Sequence, residues 1–120
     1  MSQLHGITNS LNQDLFNALA DPTRRAIIEL LATNGQMSAT DIYGNFDMSD
    51  PAVSQHLKVL RKADLLQMKK SAQKHFFRLN SKTLQGLADW VKETTEHWDE
   101  QFDKLDSLLE AETQKTKKRR

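Results

Sequence analysis

The sequence contains no cysteine, only four glycines and two prolines, and no long apolar run. Without cysteine there is no disulfide framework, no thiolate ligand for a metal and no thiol nucleophile, so a reducing cytoplasm is the expected location. No apolar stretch approaches the roughly 18 residues of a membrane span. The N-terminal MSQLHGITNS lacks the basic and then apolar order of a secretory signal. We therefore expect a cytoplasmic protein that does not enter a membrane.

The features of an enzyme site are also missing from the sequence. There is no glycine-rich phosphate loop and no pair of carboxylates in a recognisable acid and base arrangement. Ser54 and His56 are two residues apart on a predicted helix, so their side chains diverge by about 200° and cannot form a nucleophile and its base. We predict no catalytic residues and no cofactor.

Charge is distributed unevenly along the chain. The 17 basic and 16 acidic residues give a net charge of +1. Residues 1–48 carry −3, residues 49–80 carry +5, residues 81–114 carry −6, and the terminal KTKKRR carries +5. The positive field is therefore concentrated on residues 49–80, and this segment is expected to face a negatively charged partner.

Two helices are predicted in the first third of the chain. Apolar residues at helical spacing predict the first helix over residues 10–20. Asp21 followed by Pro22 is typical of an N-cap and the first helical position, so a second helix begins there. This second helix is expected to end near Asn34 and Gly35.

Two further helix starts are marked by serine. Ser38, with Asp41 three residues later, resembles a capping box and predicts a short third helix. Ser49 predicts the start of a fourth helix over residues 49–63. Pro51 lies within its first turn, where the missing N–H has no partner inside the helix. The proline therefore marks a helix start and not a break.

The pattern changes after the fourth helix. The runs LLQMKK and KHFFRLN are separated by Ser71, Ala72 and Gln73, which predicts a hairpin over residues 65–79, although its turn contains no glycine. From Ser81 onward, apolar residues recur every seven positions, which predicts a long amphipathic helix. So small a domain cannot cover the whole apolar stripe of this helix, and a partner chain is the simplest explanation.

The predicted fold class is mainly α with a small β-hairpin, in the order ααααββα, which is that of a winged helix-turn-helix. We expect one domain over residues 1–114, composed of a core and wing over 10–80 and a dimerisation helix over 81–112. A basic, disordered tail is expected over 113–120.

Residues 19–80 resemble a known family. LADPTRRAIIELL, then MSATDIYGNFDMSDPAVSQHLKVLRKADLL, then KKSAQKHFFRLN are similar, in order and spacing, to the ArsR/SmtB family of bacterial transcriptional repressors. The later segment LADWVKETTEHWDEQFDKLDSLL is similar in its tryptophan pattern to a metal-free branch of that family. The resemblance implies a homodimeric repressor that binds a pseudo-palindromic operator through helix 49–63 in the major groove and wing 65–79.

The fourth helix has the residues that a major-groove helix needs. At about 100° per residue, Val53, Leu57 and Leu60 share one face, which is expected to be buried. Small residues and short hydrogen-bonding side chains lie near its start, and cations follow. Ser54 and Gln55 match the family's base-contacting positions, and glutamine can pair with adenine. The predicted DNA-binding residues are Ser49, Pro51, Ala52, Ser54, Gln55, Lys58, Lys62, Lys69, Lys70, Gln73 and Lys74.

Other interpretations of the same residues stay open. The polar face of the fourth helix could be an ordinary solvated surface, and the hairpin lysines could belong to a solvated turn. His56 is expected to pack and to hydrogen-bond a neighbouring helix. Arg24 and Arg25 could have a structural role beside Asp21 or could contact phosphate. The competing functions are a winged-helix module for protein association and a DNA binder without sequence preference.

Metal-sensing members of this family carry their metal ligands at known positions, which can be compared with the residues of this chain. Thiolate sensors carry Cys-x-Cys on the third helix, where residues 43–45 of this chain are YGN. Zinc sensors place Asp-x-His, ten residues, and then His-x-x-Glu or His-x-x-His on the last helix. His97 and Glu100 match the second half, but Leu84 and Gly86 occupy the first half and cannot bind a metal. We predict no metal site, and the sequence identifies no small-molecule effector.

The aromatic residues of the last helix are expected to fill a dimer core. Trp90, Trp98 and Phe102 lie on or beside the stripe that repeats every seven residues, and such residues more often pack in an interface than line a ligand pocket. The expected partners are therefore double-stranded DNA and a second copy of the chain. The predicted dimer interface consists of Leu11, Leu15, Leu84, Leu87, Val91, Trp98, Phe102 and Leu105.

Overall fold

The computed structural model describes residues 13–119, with side chains described for residues 13–114. The helices are α1 (Gln13–Leu19), α2 (Pro22–Asn34), α3 (Ala39–Tyr43), α4 (Asp50–Lys62) and α5 (Ser81–Arg119). The strands are β1 (Met37–Ser38), β2 (Leu66–Ser71) and β3 (Lys74–Leu79). This is the predicted mainly helical winged helix-turn-helix, with one additional strand, β1. The first three residues predicted for helix 10–20 lie outside the described residues.

The predicted boundaries of α2 are confirmed. Asp21 is the N-cap, and its Oδ2 accepts a hydrogen bond of 3.0 Å from the backbone N–H of Arg24. Pro22 follows at the first helical position. The helix ends at Gly35, whose φ of +79° is available to glycine without strain. The N–H of Gly35 donates to the carbonyl of Leu31 at 2.7 Å.

Serine caps begin the next two helices, as predicted. The Oγ of Ser38 accepts from the N–H of Asp41 at 3.1 Å at the start of α3. The Oγ of Ser49 accepts from the N–H of Ala52 at 3.3 Å at the start of α4. Pro51 lies in the first turn of α4, as expected. Each cap satisfies a backbone donor that has no partner inside its helix.

The end of α4 is a tight turn without glycine. Asp64 adopts a left-handed conformation with a φ of +59°. Its N–H donates to the carbonyl of Arg61, and the N–H of Leu65 donates to the carbonyl of Leu60, both at 3.0 Å. This pair of bonds is a Schellman motif, and the side chains of Leu60 and Leu65 are both fully buried. The turn leads the chain from α4 into β2.

The three strands form an antiparallel sheet in the order β1-β3-β2. Strands β2 and β3 pair from Leu66 opposite Leu79 to Ser71 opposite Lys74, which confirms the predicted hairpin. This hairpin, residues 66–79, is called the wing. Its two turn residues include Ala72, whose φ is +55°. Strand β1 adds only two pairs on the other edge of β3.

The core lies between α1–α4 and the inner face of the sheet. Each of these elements contributes buried apolar side chains, and so does the turn after α4. The largest fully buried side chains are Leu15, Ile27, Leu31, Ile42, Val53, Leu60 and Leu65. The predicted role of Leu15 in a dimer interface is therefore wrong, because this side chain is 1% exposed and packs inside its own chain.

Helix α5 is longer than predicted. It extends over 39 residues to Arg119. Residues 113–119 are therefore helical, and the predicted end at residue 112 followed by a disordered tail is wrong for them. Their sequence is rich in good helix formers, and basic residues at a helix C-terminus interact favourably with the helix dipole. Within residues 13–119, no helix is both long enough and apolar enough to cross a membrane.

The chain divides into two compact units at the start of α5. One unit extends up to Gly86, and the second begins at Leu87. The sequence predicted a single domain over residues 1–114. Within the described residues, the buried apolar side chains all precede α5.

Candidate nucleic-acid interface

Helix α4 has one buried and one exposed face. Val53, Leu57 and Leu60 are at most 2% exposed and pack into the core. The side chains predicted to contact DNA on the opposite face are all exposed, and these are Pro51, Ser54, Gln55, Lys58 and Lys62. A helix held by one face and solvated on the other can present its polar side chains to an external partner.

The first turn of α4 places two further predicted residues. Ser49 is exposed, and its Oγ already accepts the capping bond from Ala52, so its O–H is left to donate. Ala52 is half-buried, and its small side chain permits close approach to this end of the helix. Backbone N–H groups at a helix N-terminus favour a phosphate group.

His56 joins α4 to the start of α2, as predicted. Its Nδ1 lies 3.3 Å from Nη1 of Arg24 and 3.8 Å from Oδ2 of Asp21. The backbone hydrogen bond from Arg24 lowers the pKa of Asp21, and the charges of His56 and Arg24 act in the same direction. The orientation of α4 is therefore tied to the cap of α2.

Arg24 and Arg25 have the structural role that the sequence left open. The guanidinium of Arg24 donates from Nε to the carbonyl of Ala18 at 2.8 Å and from Nη2 to the carbonyl of Asn17 at 2.9 Å. Arg25 donates from Nη1 to the carbonyl of Leu19 at 2.6 Å. These carbonyls belong to the last turn of α1, where intrahelical N–H donors run out, and that of Asn17 also accepts from the N–H of Ala20 at 3.2 Å. Both arginines therefore cap α1.

The wing carries the remaining predicted DNA-binding residues, and all four are exposed: Lys69, Lys70, Gln73 and Lys74. Side chains alternate between the faces of a strand, so Lys69 and Lys70 lie on opposite faces of β2. Gln73 and Lys74 line a small hollow of about 140 Å³ together with residues 38–40 at the start of α3. The structure therefore brings Gln73 and Lys74 together beside the start of α3.

A larger cleft of about 860 Å³ lies between the second half of α4 and the sheet. It brings three predicted residues together, Lys58, Lys62 and Lys69. It also contains two arginines that the sequence analysis counted as charge without assigning them a role, Arg61 and Arg78. We call the site formed by these five side chains the cationic cleft. No local motif marked the arginines, because α4 and β3 meet here only in the folded chain.

The second unit of the chain exposes apolar side chains on α5. Val91, Trp98, Phe102 and Leu105 are each between 47% and 63% exposed. Leu108 and Leu109, which were not predicted to be part of the interface, are 66% and 54% exposed. We call these six residues the apolar stripe. The rings of Trp98 and Phe102 lie side by side, with centroids 5.9 Å apart.

The other residues predicted for the interface are placed differently. Leu84 and Leu87, in the first turns of α5, are half-buried. Leu11 lies outside the described residues. Of the side chains predicted for the dimer interface, those exposed to solvent therefore begin at Val91.

The candidate metal residues on α5 are both exposed. His97 and Glu100 lie three positions apart on the same helix. Among the side chains that the structure describes, no group of three or more histidine, aspartate or glutamate residues is arranged to hold a metal ion.

Known proteins are similar to this chain in sequence and in fold. Residues 21–67 match the family model described as "Bacterial regulatory protein, arsR family". The chain is 37% identical over 78 residues to the transcriptional repressor SdpR of Bacillus subtilis, covering 65% of this chain and 86% of that protein. It is 34% identical over 70 residues to an arsenical resistance operon repressor of Staphylococcus xylosus, covering 58% and 66%. The crystal structure of an ArsR family transcriptional regulator matches with a TM-score of 0.63 and 28% identity, over 82% of this chain and 92% of that one.

Proposed function

This chain belongs to the ArsR family of bacterial transcriptional regulators, and from this premise we propose that it is a homodimeric repressor that binds a pseudo-palindromic operator through α4 and the wing. The observation that carries the proposal is the exposed polar face of α4, opposite a face that is almost completely buried. Such a helix can enter a major groove without disturbing the core.

The proposed base contacts come from the first half of α4. Gln55 can donate to and accept from the edge of an adenine at once, and a good pair of this kind contributes roughly 1–3 kcal/mol of discrimination. Ser54 can hydrogen-bond any base edge or a phosphate. Lys58 and Lys62 follow one and two turns later, where they would contact phosphates. Sequence preference would therefore come from Ser54 and Gln55, and general affinity from the lysines.

The wing is proposed to contact the DNA backbone beside the groove that α4 occupies. Lys70 and Lys74 are exposed near its tip. Lysines that neutralise phosphates release counterions, so their contribution is the same for every sequence and decreases as salt rises. The wing would therefore strengthen binding without selecting a sequence.

The apolar stripe is proposed to pair with the same stripe of a second copy. Exposed aromatic and aliphatic side chains at this spacing are typical of helices that pack against another helix. A symmetric dimer presents two copies of α4 to two half-sites, which lie about one helical turn apart in such operators. A dimer on such a site would block access of other proteins to that DNA, and both curated relatives described above are named as repressors.

Selection from a random duplex pool at near-physiological salt tests the proposal. The purified full chain is expected to enrich an inverted repeat with half-sites about one turn apart. A control variant outside the proposed DNA-binding residues, Ser107→Ala on α5, should enrich the same motif as the wild type. Retention without enrichment, disappearing as salt rises, would support a DNA binder without sequence preference. Failure to retain DNA would favour the protein-association alternative.

A further inference from the structure

The cationic cleft has a charge that the proposed base contacts do not explain. Its five cations face a single carboxylate among the lining residues, that of Asp64. All five cationic side chains are at least partly solvated, so the cleft is open to a ligand from solution. A concave site with this excess of positive charge attracts anions.

Among the helix residues of the cleft, Arg61 is turned away from the proposed base contacts, whereas Lys62 lies on the same side of α4 as Gln55. At about 100° per residue, Gln55 lies about 200° from Val53 around α4, whereas Arg61 lies only about 80° from it. Arg61 is therefore beside the buried face, directed towards the sheet. Lys58, at about 140° from Val53, lies between Gln55 and Arg61 around the helix. Arg61 is thus poorly placed to share a groove contact with Gln55 but well placed in the cleft.

The sheet side of the cleft holds its arginine in a fixed position. Gln67 and Arg78 are opposite each other in the β2–β3 register, and Nε of Arg78 donates to Oε1 of Gln67 at 2.9 Å. This bond uses one edge of the guanidinium and leaves the Nη groups to donate to a ligand. Phe76, which is half-buried, adds an aromatic surface to the lining.

We propose that the cationic cleft is a phosphate-binding site in which Arg61 and Arg78 hold the anion from opposite sides. The planar guanidinium forms paired hydrogen bonds to phosphate oxygens, and this geometry distinguishes it from a lysine ammonium. A cleft of about 860 Å³ has room for a molecule larger than one phosphate. Two sources supply this chemistry: the DNA backbone beside α4, and a free phosphorylated small molecule.

For the DNA source the inference rests on the proposed function, so the first measurement uses no DNA. The ¹⁵N-labelled full chain is titrated with inorganic pyrophosphate at constant ionic strength and followed by NMR. Saturable shifts are expected at the amides of Gln67, Lys69 and Arg78. Arg61→Gln and Arg78→Gln should each weaken binding by about fivefold, the upper range for an exposed ion pair. Lys92→Gln, a matched change on α5, should leave it unchanged.

Removing the one carboxylate provides a gain-of-binding variant. Asp64→Asn eliminates the negative charge and keeps a residue type that tolerates the left-handed conformation. Pyrophosphate should bind this variant about two- to threefold more tightly. A loss of affinity in Asp64→Asn would count against the site, because folding is expected to be preserved.

Binding of a random-sequence duplex then separates the two sources. If Arg61→Gln and Arg78→Gln weaken the duplex, with or without a loss of pyrophosphate binding, the DNA backbone is the source. If they weaken pyrophosphate alone, the source is a free phosphorylated molecule. If neither ligand responds to either variant, the inference is wrong. Gln55→Ala should leave pyrophosphate binding intact, so failure of the proposed base contacts is recognised separately.

Discussion

Among residues 13–119, two residues other than glycine, Asp64 and Ala72, adopt a backbone conformation that usually belongs to glycine. Asp64 has a φ of +59° at the end of α4, and Ala72 has a φ of +55° in the turn of the wing. Aspartate tolerates this region better than most residues, because its short polar side chain can hydrogen-bond locally. Alanine has no such compensation, so Ala72 carries the larger conformational cost.

Replacing Ala72 with glycine is expected to stabilise the protein by about 0.5–1 kcal/mol. Glycine removes the left-handed penalty, and this gain exceeds the additional entropy that glycine loses on folding. Urea unfolding followed by circular dichroism measures the difference. The adjacent Ser71→Gly is the control and should be destabilising, because Ser71 is paired with Lys74 in the strand. A destabilised Ala72→Gly variant would contradict the prediction.

A second prediction at this scale concerns Asp21 and pH. The N–H of Arg24 and the nearby cationic groups lower the pKa of this carboxyl in the folded state. A lowered pKa means that ionised Asp21 contributes stability above its ordinary pKa of about 3.9, and that this contribution is lost as pH falls through the folded pKa. The expected loss is therefore confined to acidic solution.

Asp21→Asn should isolate this contribution, because asparagine can still cap α2 but cannot ionise. At pH 7 the variant is expected to be less stable than the wild type. As pH decreases below about 4, the difference should shrink, because the wild-type carboxyl becomes protonated. Unfolding free energies of the wild type and of Asp21→Asn, measured between pH 2 and pH 7, would show this decrease in the difference. A constant difference across this range would mean that the charge of Asp21 does not matter.

The sequence predicted the caps of α2, α3 and α4 but not the two left-handed residues. Asp21, Ser38 and Ser49 form their bonds within three residues, so the local sequence is sufficient. The conformation of Asp64 depends on the burial of Leu65 in the core, which is a tertiary effect. That of Ala72 depends on the register of the whole wing.

At the scale of elements, α4 and the wing are expected to make separable contributions to DNA binding. Gln55→Ala should relax base preference at one position of each half-site while changing non-specific affinity little. Lys70→Ala should weaken all duplexes alike and reduce the slope of log affinity against log salt by about one unit. Fluorescence anisotropy with a selected operator and a scrambled duplex, at several salt concentrations, measures both. Equal effects of the two changes on every duplex would contradict specific base contacts by α4.

Some helices and strands were predicted from the sequence and others were missed, and the difference has physical reasons. Helices α2 to α4 and the wing have strong start signals and regular apolar spacing, and all were predicted. Strand β1 has only two residues, too few for any periodicity, and it exists because Met37 and Ser38 pair with β3. The last turns of α5 were missed because a basic, low-complexity sequence was interpreted as disordered, although its residues also favour a helix.

At the scale of the whole molecule, the apolar stripe of α5 is the feature most directly open to test. Trp98→Glu is expected to produce monomers and to weaken operator binding by at least about tenfold, because the second half-site no longer assists the first. Ser107→Glu places the same charge about 180° around the helix from Trp98 and should remain dimeric. Sedimentation velocity with both variants distinguishes the outcomes. A dimeric Trp98→Glu variant would place the interface elsewhere.

The sequence alone could not distinguish the residues of the exposed apolar stripe from those of the core. Leu15 and Val91 both lie on apolar helix faces, and periodicity alone treats them alike. Only the folded chain shows that Leu15 is 1% exposed, whereas Val91 is 47% exposed. The cationic cleft was missed for the same reason, since Arg61 and Arg78 come together only through the packing of α4 on the sheet.

The guanidinium of Arg24 also limits how the molecule can be regulated. Arg24 lies in the first turn of α2, and its side chain bonds the carbonyls of Asn17 and Ala18 at the end of α1 and contacts His56 on α4. Three helices are thereby fastened at a single point. A tilt of α4 by itself would break the contact between Arg24 and His56 and would leave the bonds from Arg24 to α1 in place. A signal that changed only the spacing between the two copies of α4 in the proposed dimer would leave all the bonds of Arg24 intact.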